Sequence, residues 1–199
     1  MAPRIINPIA RAYLLINTMA RMGDRSDADP LRLRWVDPGS PIFDCLPDEP
    51  QLPPNGQVLG GVWDIDTPRF KDRPVPRSIK AHFSDGTPWA ETQLADHIEE
   101  QLSQFFDAWS YRENTFDRRC EEMEALYDRM KTEGYRTQAD LAMGERTGPG
   151  PPAAPQFGEI TVDIGPNGEL GWRGNGQHRL AIARLLPIEQ VSVLVAVDI

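Results

Sequence analysis

Apolar residues recur along this chain with two periods, and the periods divide it into elements. Ile9, Tyr13, Ile16 and Ala20 share one face between Pro8 and Met22. That spacing predicts an N-terminal helix with a proline in its first turn and Gly23 as its stop. Leu31, Leu33 and Trp35 then alternate with Arg32 and Arg34, a half-buried strand pattern ended by Asp37–Pro38–Gly39. Residues 38–56 are rich in Pro and Asp and are expected to form a surface loop, and Val58–Trp63 is a short apolar run broken by Gly60–Gly61. Helical spacing returns over Arg77–Phe83 and Glu91–Ala108, where Leu94, Ile98 and Leu102 line up. Cys120, Met123, Leu126, Tyr127 and Met130 follow at three- and four-residue steps within Thr115–Glu133, which Gly134 should terminate.

The last forty residues are the most regular. Glu159–Ile164 alternates as a strand, Pro166–Asn167–Gly168 is a hairpin turn, and Glu169–Trp172 is the returning strand. A helix is predicted from about Gln177 to Leu186, and the valine-rich Val191–Val197 is a closing strand. The connection ERTGPGPPAAP, residues 145–155, reads as flexible or polyproline chain.

Composition narrows the class of protein. With 199 residues, 40% hydrophobic and 26% charged, the chain suits one soluble domain with an appendage, and nineteen prolines imply long irregular connections. A formal charge of -9 and a pI near 4.8 oppose non-specific binding to DNA, RNA or anionic membranes, so nucleic acid is a disfavoured partner. Cys45 and Cys120 are far apart and belong to no metal-ligand pattern, which reads as two reduced thiols in a cytoplasmic protein. The apolar stretch Tyr13–Ile16, flanked by Arg11 and Arg21, is too short for a secretion signal or a membrane span.

Two constellations carry candidate chemistry. In Gly174–Asn175–Gly176, flexible backbone precedes Gln177, His178 and Arg179 at the mouth of a helix. Unpaired amides and the helix dipole favour an anion there, Arg179 can add a two-pronged grip, and His178 a neutral or charged donor. The spacing is not that of a P-loop or of a Rossmann turn. A solvated strand-to-helix corner is the competing reading. The second constellation is Asp64 and Asp66 in VWDIDTPRF. Two residues apart in extended chain they share a face, where they could hold Mg²⁺ or supply a general base. An exposed acidic turn is the alternative. His82 is expected at a helix end and His97 at the surface, no histidine pair has zinc spacing, and Trp172 stands close enough to the elbow to stack on a nucleobase.

The run NGELGWRGNGQHRLAIARLLPIEQVSVLVAVDI resembles the C-terminal half of the ParB/sulfiredoxin-like domain. LYDRMKTEGYRTQADL and LRLRWVDPGSPIF are similar to the helix, glycine corner and opening strand of that family. The resemblance touches most of residues 31–199, with inserted helical material between Trp63 and Thr115. It implies an α+β fold, a small mixed sheet with packed helices, over 31–199; to it this chain adds the N-terminal helix and linker over 1–30 and a helical insertion at about 77–134 that a minimal family domain lacks. It also implies that Gly174, Asn175, Gly176, Gln177, His178 and Arg179 line a phosphate site. Gln177 stands where sulfiredoxins carry cysteine, which removes that reductase chemistry. No helix-turn-helix module follows as in partition proteins. The expected function is binding of a nucleoside triphosphate, ATP or CTP, with Mg²⁺ on Asp64 and Asp66. Hydrolysis, or phosphoryl transfer to a small-molecule acceptor, would use Asp64, Asp66 and His178. Two other readings stay open: a metal-dependent nuclease of the same superfamily, and a non-catalytic module whose inserted helices bind a partner or a second copy in a homodimer.

Overall fold

A computed structural model describes residues 33–44, 57–58, 69–104, 115–144, 158–164 and 168–198. The expected N-terminal helix, Asp64, Asp66, the turn residues Pro166–Asn167 and the proline-rich connection at 145–155 lie outside the described residues.

The protein is α+β, built on a mixed sheet. Its strands are β1 (Leu33–Val36), β2 (Ile42–Asp44), β3 (Gln57–Val58), β4 (Ile160–Ile164), β5 (Leu170–Trp172) and β6 (Val191–Asp198). The order is β1-β6-β4-β5-β2, with β3 also pairing β6. β4 is central, antiparallel to β5 as the hairpin pattern predicted and parallel to β6. Its alternate residues Ile160 and Val162 are buried, and so are their neighbours Thr161 and Asp163. A strand covered on both faces loses the inside–outside alternation that an exposed sheet would show.

Among the described residues, five α-helices accompany the sheet: α1 (Pro74–Asp85), α2 (Gln93–Gln104), α3 (Thr115–Glu133), α4 (Gln138–Gly144) and α5 (Gln177–Ala183). α1 begins three residues before the expected start, because Pro74 and Pro76 fall in the first turn, where no intrahelical amide is needed. Gly86 closes it in the left-handed region at φ 74°. Ahead of α2, Thr92 donates to the Trp89 carbonyl at 2.8 Å and accepts the Leu94 amide at 3.3 Å, a hydroxyl cap. α3 spans the predicted residues, and Gly134 follows at φ 76°.

The loop expected over 38–56 contains a strand. Ile42, 4% exposed, brings β2 parallel to β5, with Ile42 opposite Leu170. Helix α5 is shorter than expected, ending at Ala183. Arg184 turns away to donate to the carbonyls of Pro38 and Ser40, tying the helix end to the β1–β2 turn. α5 packs against α1, α3 and β4. Between α1 and α3, His82 stacks on Trp89 at 4.0 Å and Phe83 on Tyr127 at 3.9 Å, while the Trp89 indole donates to Glu124 at 3.0 Å. Phe70, Ile79, Leu180 and Ile182 complete the buried centre from which the β5–α5 elbow projects.

Candidate functional site

The elbow is a tight corner between β5 and α5. Gly174 and Gly176 both sit at positive φ, 93° and 71°. Gly176 also presses onto β4: a Cβ there would lie 2.7 Å from the Ile160 Cα. Only glycine meets both conditions. The Asn175 carbonyl is fixed from two sides, by the Trp172 indole at 2.8 Å and the Thr161 amide at 3.4 Å. Leu180 makes the first helical bond, to the Gly176 carbonyl at 3.0 Å. Among the described residues, no protein acceptor takes the amides of Gln177 and His178. Gly174 and Asn175 are exposed, and Gly176, Gln177 and His178 are half-buried.

Arg179 does not face outward with them. It is 7% exposed, and both terminal nitrogens are occupied. Nη1 donates to Glu159 Oε2 at 3.1 Å and to the Gly158 carbonyl at 3.3 Å. Nη2 donates to the Tyr135 hydroxyl at 2.5 Å and to the Arg136 carbonyl at 2.9 Å. The guanidinium lies 4.7 Å from the Tyr135 ring centre. Glu159 is itself enclosed, accepting from Ser192 at 3.0 Å and from the Gln138 amide at 2.7 Å, where its charge caps the start of α4. The guanidinium expected to grip a phosphate is therefore a buried strut.

A second buried pair flanks the elbow: Arg173 Nη1 donates to Asp163 Oδ1 at 2.9 Å, with side chains 5% and 8% exposed. Both carboxylates bracket β4, so that strand holds the elbow at either end. These partners carry no local signal in the sequence. Glu159 was legible only as the first residue of a strand, and Tyr135 only as the residue after a helix stop.

Two further expectations change. Trp172 is 2% exposed, packed on Phe70 at 5.4 Å and covered by the Arg73 guanidinium at 4.8 Å, so it is no open platform for a base. His97 is half-buried rather than a surface residue. Burial, and then the positive charge of Arg73, push its pKa below the ordinary 6.5. Burial does the same to His178, reinforced by Arg119 and opposed by Glu122, so the imidazole at the elbow is neutral at pH 7.

A pH dependence follows for the fold. With both pKa values depressed, the unfolded chain binds more protons just below pH 6.5, and stability falls as pH drops through that window. The urea midpoint should decline from pH 7.5 to pH 5.5, and a His97→Gln, His178→Gln double variant should decline less. An equal decline in both proteins would assign the loss to other groups.

Cys120 is a buried free thiol whose pKa is raised to about 11, by burial first and then by Glu124 and Asp117, so it is unreactive. Among the described residues, no group of three or more His, Cys, Asp or Glu is placed to hold a metal ion, and no helix is long and apolar enough to cross a membrane. The metal role of Asp64 and Asp66 lies outside the described residues.

No protein-family model matches the chain, no curated protein matches it, and no solved structure matches it.

Proposed function

We propose that this is a nucleotide-binding protein of ParB/sulfiredoxin-like fold, in which the 174–178 elbow receives the phosphate chain of a nucleoside triphosphate. One observation carries the reading: Gly176 is wedged onto Ile160 at positive φ, which holds the amides of Gln177 and His178 outward and without protein acceptors among the described residues. Rigid backbone donors at a helix start suit a phosphate oxygen. A neutral His178 adds a donor to the phosphate or a proton acceptor for a nucleophile.

Arg179 drops out of the grip and becomes the support beneath it. Asp64 and Asp66 keep their proposed role as Mg²⁺ ligands, and Asp64, Asp66 and His178 as the catalytic set for hydrolysis or for phosphoryl transfer to a small acceptor. The reduced, buried Cys120 suits a cytoplasmic setting.

Thermal unfolding with ATP, CTP and GTP, each with and without Mg²⁺, tests the reading. A ligand at one hundred times its Kd stabilises the folded state by about 2.7 kcal/mol. At least one nucleotide should therefore raise the Tm by several degrees, and more with Mg²⁺. No shift with any of them would favour the non-catalytic module. Metal-dependent DNA cleavage abolished by Asp64→Asn would favour the nuclease.

A further inference from the structure

One large apolar side chain is exposed among the described residues: Trp35, on β1, at 53%. Leu33, half-buried, lies two positions earlier and so on the same face of that strand. Their cross-strand neighbours on β6 are Leu194 and Ser192. Tyr135 completes the patch. Its ring meets Trp35 edge-on at 6.2 Å, and its hydroxyl donates to the Ser192 carbonyl at 3.0 Å. β1 also stands at the end of the described strand order. A tryptophan left half in water at a sheet margin forgoes much of the burial that makes aromatic side chains stabilising.

A matching apolar surface lies within reach on the same chain. Ile9, Tyr13, Ile16 and Ala20 share one face of the helix expected over 8–22. Such a stripe gains most of its stability by burial against another element. Residues 1–32 lie outside the described residues, and they end where β1 begins. The ten residues 23–32 join that helix to Leu33. Extended, they reach about 33 Å at roughly 3.3 Å each, against about 22 Å for the length of the helix itself. The helix can therefore fold back over Trp35.

Charge favours the same arrangement. Residues 1–22 carry Arg4, Arg11 and Arg21 and no acid, whereas the rest of the chain has 18 Lys and Arg against 30 Asp and Glu. A segment of charge +3 thus meets a body of charge -12, and exposed Asp37 stands two residues beyond Trp35. Tethering selects this segment over a free partner. A short flexible linker holds its cargo at an effective concentration of about the millimolar range, far above that of a second copy in dilute solution.

We propose that the apolar face of residues 8–22 docks on the Leu33–Trp35–Tyr135 patch of the same chain. The docked segment covers the outer side of Tyr135, whose hydroxyl accepts from Arg179.

Photo-crosslinking of the full chain, with p-benzoylphenylalanine in place of Trp35, tests the proposal. Mass mapping should place the crosslink within residues 8–22, at monomer mass. A crosslink to 8–22 found only at dimer mass gives the patch to a second copy and overturns the proposal, and so does a product with no crosslink in 8–22. Hydrogen exchange reads the same contact without a label. Ile16→Asp should speed exchange of the 33–36 amides by at least about tenfold and leave residues 160–163 unchanged. Trp35→Ala should give a similar increase, and the double variant little more, because both changes remove one contact. Should the photo-label prevent folding, equal exchange at 33–36 in the parent and Ile16→Asp overturns the proposal instead.

Discussion

Arg179→Ala should cost the fold about 3–5 kcal/mol, because it strands Glu159 in the interior without its counter-charge. The carboxylate would retain Ser192 and the Gln138 amide, but no cation among its observed partners. The variant also deletes both donors to the α3–α4 corner, at the Tyr135 hydroxyl and the Arg136 carbonyl. Typical domains are stable by only about 5–15 kcal/mol, so the variant should sit near its unfolding midpoint in mild denaturant. Glu159→Gln should cost somewhat less, since the amide preserves shape and accepts from one side. A double replacement, Arg179→Met with Glu159→Leu, should be more stable than the sum of the single losses predicts, as coupled partners are. Urea unfolding of the four proteins checks this. If Arg179→Ala keeps the parent midpoint and loses only nucleotide affinity, the strut assignment is wrong and the arginine belongs to the phosphate grip.

Gly176→Ala should cost on the order of 2–5 kcal/mol, from two separable sources. A non-glycine residue in the left-handed region costs roughly 1–2 kcal/mol, and forcing an extra carbon into a packed site costs about 1–3 kcal/mol. Here the added carbon meets backbone, the Ile160 Cα at 2.7 Å and its amide nitrogen at 3.0 Å, which cannot swing aside as a side-chain tip would. Gly134 provides the control. Its φ of 76° matches, but nothing lies within 4 Å of a Cβ placed there. Gly134→Ala should therefore incur the backbone term alone, and the difference between the two variants measures the wedge against β4. Equal losses would mean that the elbow yields freely, and the rigid-amide basis of the proposed site would go with it.

How much was legible in the sequence depended on how local the cause was. Thr115–Glu133 was read to the residue, because its apolar stripe and the Gly134 stop are both written in adjacent positions. The β4–β5 hairpin and the elbow glycines were equally local. By contrast, β2 is three residues long in a proline-rich stretch, and only its parallel pairing with β5 makes it a strand. Arg179 shows the same limit at the site. Its position at a helix mouth suggested an outward-facing cation, whereas its direction is set by Tyr135 and Glu159, 44 and 20 residues away. Periodicity does not carry such pairings. Arg73 has no local signal either, since its place over the Trp172 ring depends on α1 packing against α5.

The β6 strand has a consequence for how the protein acquires its shape. It pairs with β1, β3 and β4, and it sets Leu33 opposite Leu194. During synthesis the early strands therefore emerge long before the segment that joins them to the centre of the sheet. Sheets closed by such distant pairings assemble slowly, and until residues 191–198 arrive the nascent chain holds unpaired edges that a chaperone or a neighbouring nascent chain would find first.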